Sequence, residues 1–288
     1  MKLYLALLLS TRVIQVPLGL DRYLPVPDSN PLTIEKVALG RRLFFEKNLS
    51  RDSTIACATC HEPSRSYTDV WPKSIGVNSR RGEFRSPRII NRVYGKSFFW
   101  DGRAKSLEEQ VTQPISNPLE MDLPIADAVT RLAVSADYPG ITLEVLRDAL
   151  ASYVRTILSG NSPYDRHVAG DKQALSDSAK LGLKIFRGKG GCVSCHLGPN
   201  LTDERLHNTG IGHGSFKTPT LREVARQGPY MHDGSLSTLE DVIDYYDKGG
   251  NAGVGIDSDM HPLHLTQQEK LGLLDFLKAL TGVIQEGL

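Results

Sequence analysis

The four cysteines of this 288-residue chain occur in two copies of one short motif, Cys-x-x-Cys-His. In this motif the two thiols form thioether bonds to the vinyl groups of a porphyrin, and the histidine binds the iron. Two copies with no cysteine left over predict two covalently bound haem c groups, with both histidines as iron ligands. The residues concerned are Cys57, Cys60 and His61 in the first copy, and Cys192, Cys195 and His196 in the second.

Paired Cys-x-x-Cys motifs also occur in zinc sites, in thioredoxin-like redox pairs and in disulfide frameworks. Each pair here is followed directly by a histidine, which an all-cysteine zinc site does not need. Cys57 and Cys192 are 135 positions apart, far beyond the spacing of a zinc ribbon. We therefore favour haem over zinc or disulfides.

The second axial position of each iron separates electron transfer from peroxide chemistry. A shift of 132 positions lays the second half of the chain on the first and pairs Tyr246 with Pro114. Tyrosine binds ferric haem iron, whereas proline cannot, so the pairing predicts an open iron at His61 and a six-coordinate iron between His196 and Tyr246. Tyr246 could also be an ordinary half-buried helix tyrosine. The alternative axial ligands that this pattern leaves open are Met231, Met260, His167, His207, His213, His232, His261 and His264.

Cleavage of a bound peroxide needs a base that moves one proton and a polar group that polarises the O–O bond. Residues 110–120 surround Pro114 and are therefore expected to line the open haem. Glu120 is the candidate acid and base, because burial would raise its pKa towards neutrality, and Gln110 is the candidate hydrogen-bonding partner of peroxide. Trp100 is the candidate relay between the haems. Each of these residues has a structural alternative. Glu120 could cap a helix or form a salt bridge, Gln110 could lie at the surface, and Trp100 could fill the core.

The sequence contains the same plan twice, which predicts duplication of one haem domain. Leu-Gly-Arg-Arg-Leu-Phe at 39–44 corresponds to Leu-Gly-Leu-Lys-Ile-Phe at 181–186, and Phe-Arg-Ser-Pro at 84–87 corresponds to Phe-Lys-Thr-Pro at 216–219. Trp100 falls at the position of His232. The shift is 142 positions before the motifs and 132 after them, so only loops differ in length.

Apolar residues at helical spacing predict helices rather than strands. We expect a mostly α fold with two cytochrome c-like haem domains, related by internal duplication and carrying long loops. Residues 21–165 form the expected first domain and 166–288 the second, with the polar stretch 161–177 as the link. The predicted helices span 33–47, 141–158, 239–246 and 266–280, with a further helix that begins after Ser176.

Composition limits the function classes. A net charge of +1 argues against nucleic acid as a partner, and 40% apolar residues are typical of a soluble globular protein. Lys2 and the apolar run 3–9 fit a signal sequence, although a short buried segment is the alternative, so residues 1–20 are assigned as a signal or N-terminal extension. Seven apolar residues cannot span a bilayer. Because bacteria attach haem c outside the cytoplasm, we expect an exported, periplasmic protein with no membrane span in its mature form.

Four segments and both motifs resemble the bacterial di-haem cytochrome c peroxidase and MauG family. The segments lie at 98–104, 109–110, 117–121 and 229–235, and the resemblance extends over about residues 24–282. It implies an N-terminal peroxidatic haem and a C-terminal electron-transfer haem. It also implies that Trp100 lies between the haems, that Gln110 and Glu120 serve the peroxide pocket, and that Tyr246 is the axial ligand of the C-terminal haem.

Three departures from the classical di-haem peroxidases refine this expectation. Those enzymes have a methionine at the position of Tyr246, whereas MauG-like members have tyrosine. In those enzymes a histidine at the position of Val77 blocks the N-terminal haem until the other haem is reduced. Because valine cannot bind iron, no reductive activation is expected here. The family's calcium site uses an asparagine where Arg85 aligns, with carbonyls of Gln227 and Pro229. A cationic Arg85 would repel calcium, so calcium binding is expected to be disfavoured.

Three functions from different classes follow. The first is a peroxidase that reduces hydrogen peroxide at the His61 haem and shares oxidising equivalents with the second haem through Trp100, with a small cytochrome c or cupredoxin as reductant. The second is a MauG-like oxidase of tryptophan or tyrosine residues on a partner protein, which Val77 and Tyr246 favour. The third is a non-enzymatic di-haem electron carrier, which requires two six-coordinate irons.

Overall fold

The structure is a computed structural model that describes residues 14–226 and 228–288. The apolar run 3–9, with most of the expected extension at 1–20, lies outside the described residues, as does Gln227. Helices make up 37% of the chain, so the expectation of a mostly helical fold is confirmed. Within the described ranges, no helix combines the length and the apolar character needed to cross a membrane.

The elements follow one another with short turns and irregular segments between them. The helices are α1 (Ile34–Phe44), α2 (Cys57–Cys60), α3 (Leu107–Gln110), α4 (Gln113–Ser116), α5 (Ile125–Ala133), α6 (Leu143–Arg155), α7 (Pro163–Val168), α8 (Asp177–Arg187), α9 (Leu239–Asp247) and α10 (Gln267–Lys278). The strands are β1 (Leu158–Gly160), β2 (Leu206–His207), β3 (Phe216–Lys217) and β4 (Val283–Gln285).

Helix starts are set by side-chain caps. Thr33 and Ser176 each accept a hydrogen bond from a backbone N–H of the first turn of α1 and α8, as the sequence predicts. Helix ends were predicted less well, because α1 stops at Phe44 rather than at 47. The prediction that the α6 helix reaches 158 is wrong for its last residues, because β1 forms there and pairs with β4.

Each half of the chain is built on one closely crossed helix pair. In the first half, α1 crosses α6 at Gly40, where a Cβ would lie 1.9 Å from the carbonyl oxygen of Ala149. In the second half, α8 crosses α10 at Gly182, where a Cβ would lie 1.9 Å from the carbonyl oxygen of Gly272. Only glycine permits these approaches, which explains why Leu-Gly occurs at both places in the sequence repeat.

The apolar core is divided in the same way. One cluster of buried side chains extends from Val37 to Ile157 and a second extends from Ile185 to Leu280. The chain end returns to the first cluster, because β4 pairs antiparallel with β1 and Leu288 packs against that cluster.

The two halves meet through reciprocal contacts. The N–H of Arg85 donates to the carbonyl oxygen of His232 at 2.8 Å, and the N–H of Lys217 donates to the carbonyl oxygen of Trp100 at 2.7 Å. The rings of Phe84 and Phe216 lie edge to face, with centroids 5.6 Å apart. Phe84 and Phe216 are themselves related by the shift of 132, and the same shift exchanges the two hydrogen bonds with each other, because it pairs Arg85 with Lys217 and Trp100 with His232. The interface therefore has the exchange pattern of a twofold axis.

Candidate active site

A cavity of about 390 Å³ lies beside the first motif, within the size range of small-molecule and cofactor pockets. Apolar side chains from α1 and α6 form part of its wall, and the cavity extends to the interface with the second half. The structure brings to this one wall every residue of the first half for which the sequence predicts a role in haem attachment or peroxide chemistry: Cys57, Cys60, His61, Trp100, Gln110, Pro114 and Glu120.

His61 follows α2, a single helical turn that carries both thiols of the first motif. Its Nδ1 lies 3.3 Å from the carbonyl oxygen of Tyr67. Only an N–H can pair with that oxygen, so Nδ1 carries the proton and Nε2 keeps its lone pair. Burial lowers the pKa of His61 to about 4, which keeps the ring neutral at physiological pH. A neutral imidazole with a free Nε2 is the form that binds a haem iron.

Glu120 reaches the cavity from the loop after α4. The Nδ2 of Asn117 donates to one oxygen of its carboxylate at 2.7 Å, so the second oxygen is left for another partner. Burial raises the pKa of Glu120, against a lowering by the Asn117 hydrogen bond and the charge of Arg103. A carboxyl group with a raised pKa is suited to proton transfer near neutral pH.

Gln110 and Pro114 line the cavity from two short consecutive helices. Gln110 is the last residue of α3, and Pro114 lies in the first turn of α4, where a missing N–H costs no helical hydrogen bond. Proline has no group that binds iron, and Gln110 presents an amide. This part of the wall therefore offers hydrogen bonding without a strong iron ligand.

Val77 lies on the loop beside this wall. Its side chain is 1% exposed and packs in the first apolar core, and its N–H donates to the carbonyl oxygen of Glu120 at 2.8 Å. The neighbouring Gly76 is needed for the close approach, since a Cβ there would lie 2.1 Å from the carbonyl oxygen of Leu119. The loop thus positions Glu120 and presents no ligand of its own at residue 77.

Trp100 lies where the two halves meet. Its Nε1–H donates to the carbonyl oxygen of Arg85 at 2.8 Å, and its ring lies edge to face with His232, with centroids 6.4 Å apart. His232 in turn stacks on Phe216 at 3.4 Å. The indole therefore contacts both the cavity of the first half and an aromatic group of the second.

Comparisons with known proteins agree with this geometry. A family model described as di-haem cytochrome c peroxidase matches residues 34–173. The methylamine utilization protein MauG of Methylorubrum extorquens is 38% identical, over 89% of this chain and 81% of that protein. The chain belongs to the di-haem cytochrome c peroxidase and MauG family. The resemblance found in the sequence is thereby confirmed.

Other members of the family extend the comparison. A cytochrome-c peroxidase of Denitromonas iodatirespirans is 33% identical, over 92% of this chain and 86% of that protein. A solved MauG-like protein associated with microbial copper homeostasis has a TM-score of 0.84 at 30% identity, covering 91% of this chain and 95% of the other. Peroxidases and MauG proteins are both haem oxidoreductases, so this di-haem family member is one too, with haem c as its cofactor.

The second motif of this di-haem protein is held like the first. Nδ1 of His196 lies 3.1 Å from the carbonyl oxygen of Leu201, so Nε2 is again free for iron. Tyr246 lies on α9. Burial, together with the nearby thiols of Cys192 and Cys195, raises the pKa of Tyr246 above its usual value. Tyr246 is thus a half-buried residue of α9 whose phenol lies within electrostatic range of the second pair of thiols.

Three of the alternative ligands are engaged elsewhere. Met231 lines the first cavity rather than the second site. Both ring nitrogens of His207 are hydrogen-bonded to carboxylates, Nε2 to Asp203 at 2.8 Å and Nδ1 to Asp257. His232 is stacked on Phe216 at the interface between the halves. Tyr246 stays the prediction for the axial ligand.

The cysteines fit two haems and do not fit one zinc ion. All four are free thiols, and each pair is followed by its own histidine and carbonyl acceptor. In the two described ranges, no group of three or more His, Cys, Asp or Glu side chains lies close enough to hold a metal ion. The four thiols thus form two separate pairs, each beside its own histidine, as two sets of thioether bonds require.

The region implied for calcium carries positive charge. Arg85 is 5% exposed, and its guanidinium donates to the carbonyl oxygen of Asp69 at 3.3 Å. Burial, followed by repulsion from Arg85, lowers the pKa of Arg88 to about 10, so a second guanidinium lies near the first. A divalent cation at this place would meet these two groups.

Sequence reasoning missed two clusters of charged side chains, of which the first is buried. Arg92 forms two hydrogen bonds of 2.9 Å with the carboxylate of Glu204, and Nζ of Lys217 lies 3.4 Å from the same carboxylate, so charges link the halves. Glu286 binds two tyrosines of the first half. Ion pairs between residues so far apart in the chain leave no spacing signal in a single sequence.

Proposed function

We propose that this protein is an exported di-haem peroxidase that reduces hydrogen peroxide at an open haem bound by His61. The observation that carries the proposal is the shared cavity wall, where the candidate acid and base and the first motif line one space. When bound, the haem supplies an iron that binds peroxide and accepts its oxidising equivalents. Proton transfer and orientation are left to the side chains of the chain.

Glu120 is the proposed acid and base. Its free carboxylate oxygen takes the proton from one peroxide oxygen and delivers it to the other, which leaves as water. The hydrogen bond from Asn117 fixes the carboxylate, and the backbone contact with Val77 fixes the loop that carries it. The amide of Gln110 hydrogen-bonds the peroxide and polarises the O–O bond.

The second haem is the proposed electron store or relay. His196 and Tyr246 would occupy both axial positions, which leaves no place for peroxide. Trp100 is the proposed connection, because it lines the first cavity and its ring contacts His232 of the second half. We do not assign calcium to the interface, because Arg85 and Arg88 are buried there.

We also infer that the halves are copies of one haem-binding plan, with an N-terminal domain at 21–165 and a C-terminal domain at 166–288. Three structural parallels support duplication: the glycine-mediated helix crossings, the carbonyl acceptors of the two motif histidines, and the reciprocal contacts at the interface. The boundary at 165 falls between Ile157, the last buried residue of the first core, and Ile185, the first of the second, with Tyr164 packed against the second core.

The second candidate function is a MauG-like oxidase, in which the same site uses peroxide to oxidise tryptophan or tyrosine residues of a partner protein. Two observations favour it: Val77 offers no ligand that must be displaced, and the thiols of the second motif contribute to the raised pKa of Tyr246. The relative named methylamine utilization protein MauG is 38% identical to this chain. A plain electron carrier is disfavoured, because it would have no use for an open cavity lined by a carboxyl group.

The proposed setting is the periplasm, since haem c is attached outside the cytoplasm and the N-terminus has an apolar run after Lys2. The proposed reductant of the peroxidase is a small cytochrome c or cupredoxin. We propose no role in nucleic-acid binding, because the net charge is only +1.

An absorption spectrum of the ferric protein before and after one equivalent of peroxide tests the proposal. We expect one high-spin haem that reacts without prior reduction. Two low-spin haems that are inert to peroxide would overturn both enzyme functions and leave the electron carrier. Turnover with reduced cytochrome c then separates the two enzymes: brisk turnover supports the peroxidase, and negligible turnover supports the oxidase of protein residues.

A further inference from the structure

Two buried tyrosines share one carboxylate next to the first motif. Tyr67 and Tyr153 both donate their hydroxyl groups to Oε2 of Glu286, and the two hydroxyl oxygens lie 3.4 Å apart. The tyrosines are 2% and 0% exposed. The other carboxylate oxygen accepts from Nε of Arg41 at 2.9 Å, at the protein surface. We call these residues the tyrosine–Glu286 cluster.

The tyrosine–Glu286 cluster is connected to His61 through the backbone and to the cavity through one ring. The carbonyl oxygen of Tyr67 is the acceptor for Nδ1 of His61 at 3.3 Å. Phe44 lines the cavity and packs against both phenol rings, with centroids 6.2 Å from Tyr67 and 5.2 Å from Tyr153. One hydrogen bond therefore joins Tyr67 to the iron-binding histidine.

A phenol in a buried site can lose an electron easily only if its proton moves to a base at the same time, because a charged radical would be poorly solvated there. Glu286 is such a base, already hydrogen-bonded to the Tyr67 hydroxyl. Tyr153 hydrogen-bonds the same carboxylate and lies within reach of the Tyr67 oxygen. Tyr67 is therefore the electron source and Glu286 the proton acceptor, while Tyr153 is a hydrogen-bond donor near the oxidised oxygen of Tyr67.

We propose that Tyr67 is a redox-active residue that gives one electron to the first haem site when no external donor is present. The O–H bond of Tyr67 breaks, its proton forms a new O–H bond on Glu286, and a neutral tyrosyl radical remains. Reduction of one hydrogen peroxide to two waters takes two electrons and two protons. Tyr67 supplies one electron and the second haem the other, while solvent water supplies both protons, since the proton of Tyr67 stays on Glu286. This inference rests on the proposed peroxidase function, which supplies the oxidant.

The second half has an aliphatic residue at the position that corresponds to Tyr67. The carbonyl acceptor for His196 belongs to Leu201, whose aliphatic side chain cannot be oxidised in this way. Of the two carbonyl acceptors, the one that belongs to an oxidisable residue therefore lies beside the motif whose cavity is lined for peroxide chemistry.

The test is electron paramagnetic resonance of the holoprotein, frozen rapidly after one equivalent of peroxide without reductant. A tyrosyl radical is expected, and its hyperfine splitting should change in protein made with ring-deuterated tyrosine. Tyr67→Phe should abolish the signal, although it keeps the ring and the carbonyl that binds His61. Glu286→Gln keeps the size of the side chain but removes the base, so the radical yield should fall.

Tyr138→Phe is the matched control. Tyr138 donates to the carboxylate of Glu46 at 2.7 Å and lies under the guanidinium of Arg42 at 4.9 Å. It therefore has the same kinds of neighbour as Tyr67, a carboxylate and a guanidinium, without the link to His61. Its replacement should leave the signal unchanged.

Two results would overturn the inference alone: peroxide consumption with no tyrosyl signal in the unmodified protein, or a signal that persists in Tyr67→Phe. Absence of any peroxide reaction, followed by absorbance in the same samples, would overturn both the proposed function and the inference. A full signal in folded Glu286→Gln would refute the role of Glu286 as proton acceptor.

Discussion

The two halves of this protein hold their motif histidines in the same way and surround them differently. His61 and His196 each donate from Nδ1 to a backbone carbonyl, and the residues that provide it, Tyr67 and Leu201, both have a left-handed backbone with φ of 59° and 52°. The surrounding positions are unlike: where the first half has Pro114, the second has Tyr246. Attachment is thus a local property of the motif, whereas the proposed difference in reactivity depends on residues of α4 and α9, far from the motifs along the chain.

The strongest way to break this comparison is to remove Glu120, the proposed acid and base of the first half. Glu120→Gln should slow the reaction with peroxide by about 10²- to 10⁴-fold, because an amide cannot move the proton between the peroxide oxygens. Stopped-flow absorbance after mixing with peroxide measures the rate.

Glu109→Gln is the control for this substitution. Glu109 is exposed on α3, and its carboxylate accepts only a local hydrogen bond from the N–H of Lys105. Its replacement should leave the rate within about twofold, as is usual for surface changes. A Glu120→Gln variant as fast as the unmodified protein would remove Glu120 from the mechanism.

The next test makes the second half resemble the first. Tyr246→Phe should convert the second haem from six-coordinate to open, seen as a change of its low-spin signal in the ferric spectrum, because phenylalanine has no ligand atom. Tyr245→Phe is the neighbouring control, since the Tyr245 hydroxyl donates to the carbonyl oxygen of Thr209 instead. An unchanged spectrum in Tyr246→Phe would transfer the assignment to Met260 or to a histidine.

The sequence predicted the parts of the site that depend on local chemistry. The motifs fix the attachment points, and helical spacing with Thr33 and Ser176 as caps fixes where helices begin. The shift of 132 positions paired residues that contact each other across the interface, such as Phe84 and Phe216. Repeats carry this information because both copies keep the residues that their common backbone needs.

Other parts could not be predicted because they depend on contacts between distant residues. The return of β4 to β1 decides where the α6 segment stops being helical, and nothing near residue 158 signals a strand partner at 283–285. The hydrogen bonds of Tyr67 and Tyr153 to Glu286 have the same origin. Such pairings become visible only when the chain is folded.

A third prediction asks whether the helix crossings are equivalent. Gly40→Ala and Gly182→Ala should each destabilise the protein by about 1–3 kcal/mol, because the new Cβ would overlap a carbonyl oxygen of the facing helix. Gly272→Ala should cost less, since its Cβ would meet backbone atoms at 3.1 Å and the first half already has Ala149 at the crossing. Urea unfolding followed by circular dichroism provides the values. Equal costs for Gly182→Ala and Gly272→Ala would contradict the crossing geometry.

The smallest effect that we expect is on the pH dependence of the free energy of unfolding. It concerns His207, which corresponds to Ile75 in the first half. Partial burial alone would lower the pKa of His207, but the hydrogen bonds that its ring donates to Asp203 and Asp257 raise the pKa overall. The pKa of this histidine is about 6.5 in the unfolded protein and higher in the folded protein. The stabilisation is therefore complete at pH values below the unfolded-state pKa, and it is lost as the pH rises through the folded-state pKa. Solvent screening limits the contribution to about 1 kcal/mol or less.

His207→Ile gives the second half the residue of the first and should remove this pH-dependent part of the free energy of unfolding. Urea midpoints between pH 6 and 8 should then fall less steeply with rising pH than those of the unmodified protein, because no imidazolium is left to pair with the two carboxylates. Replacement of the exposed His213 by glutamine should keep the original slope. If His207→Ile keeps it as well, the histidine between the two aspartates is not what distinguishes the stability of the halves.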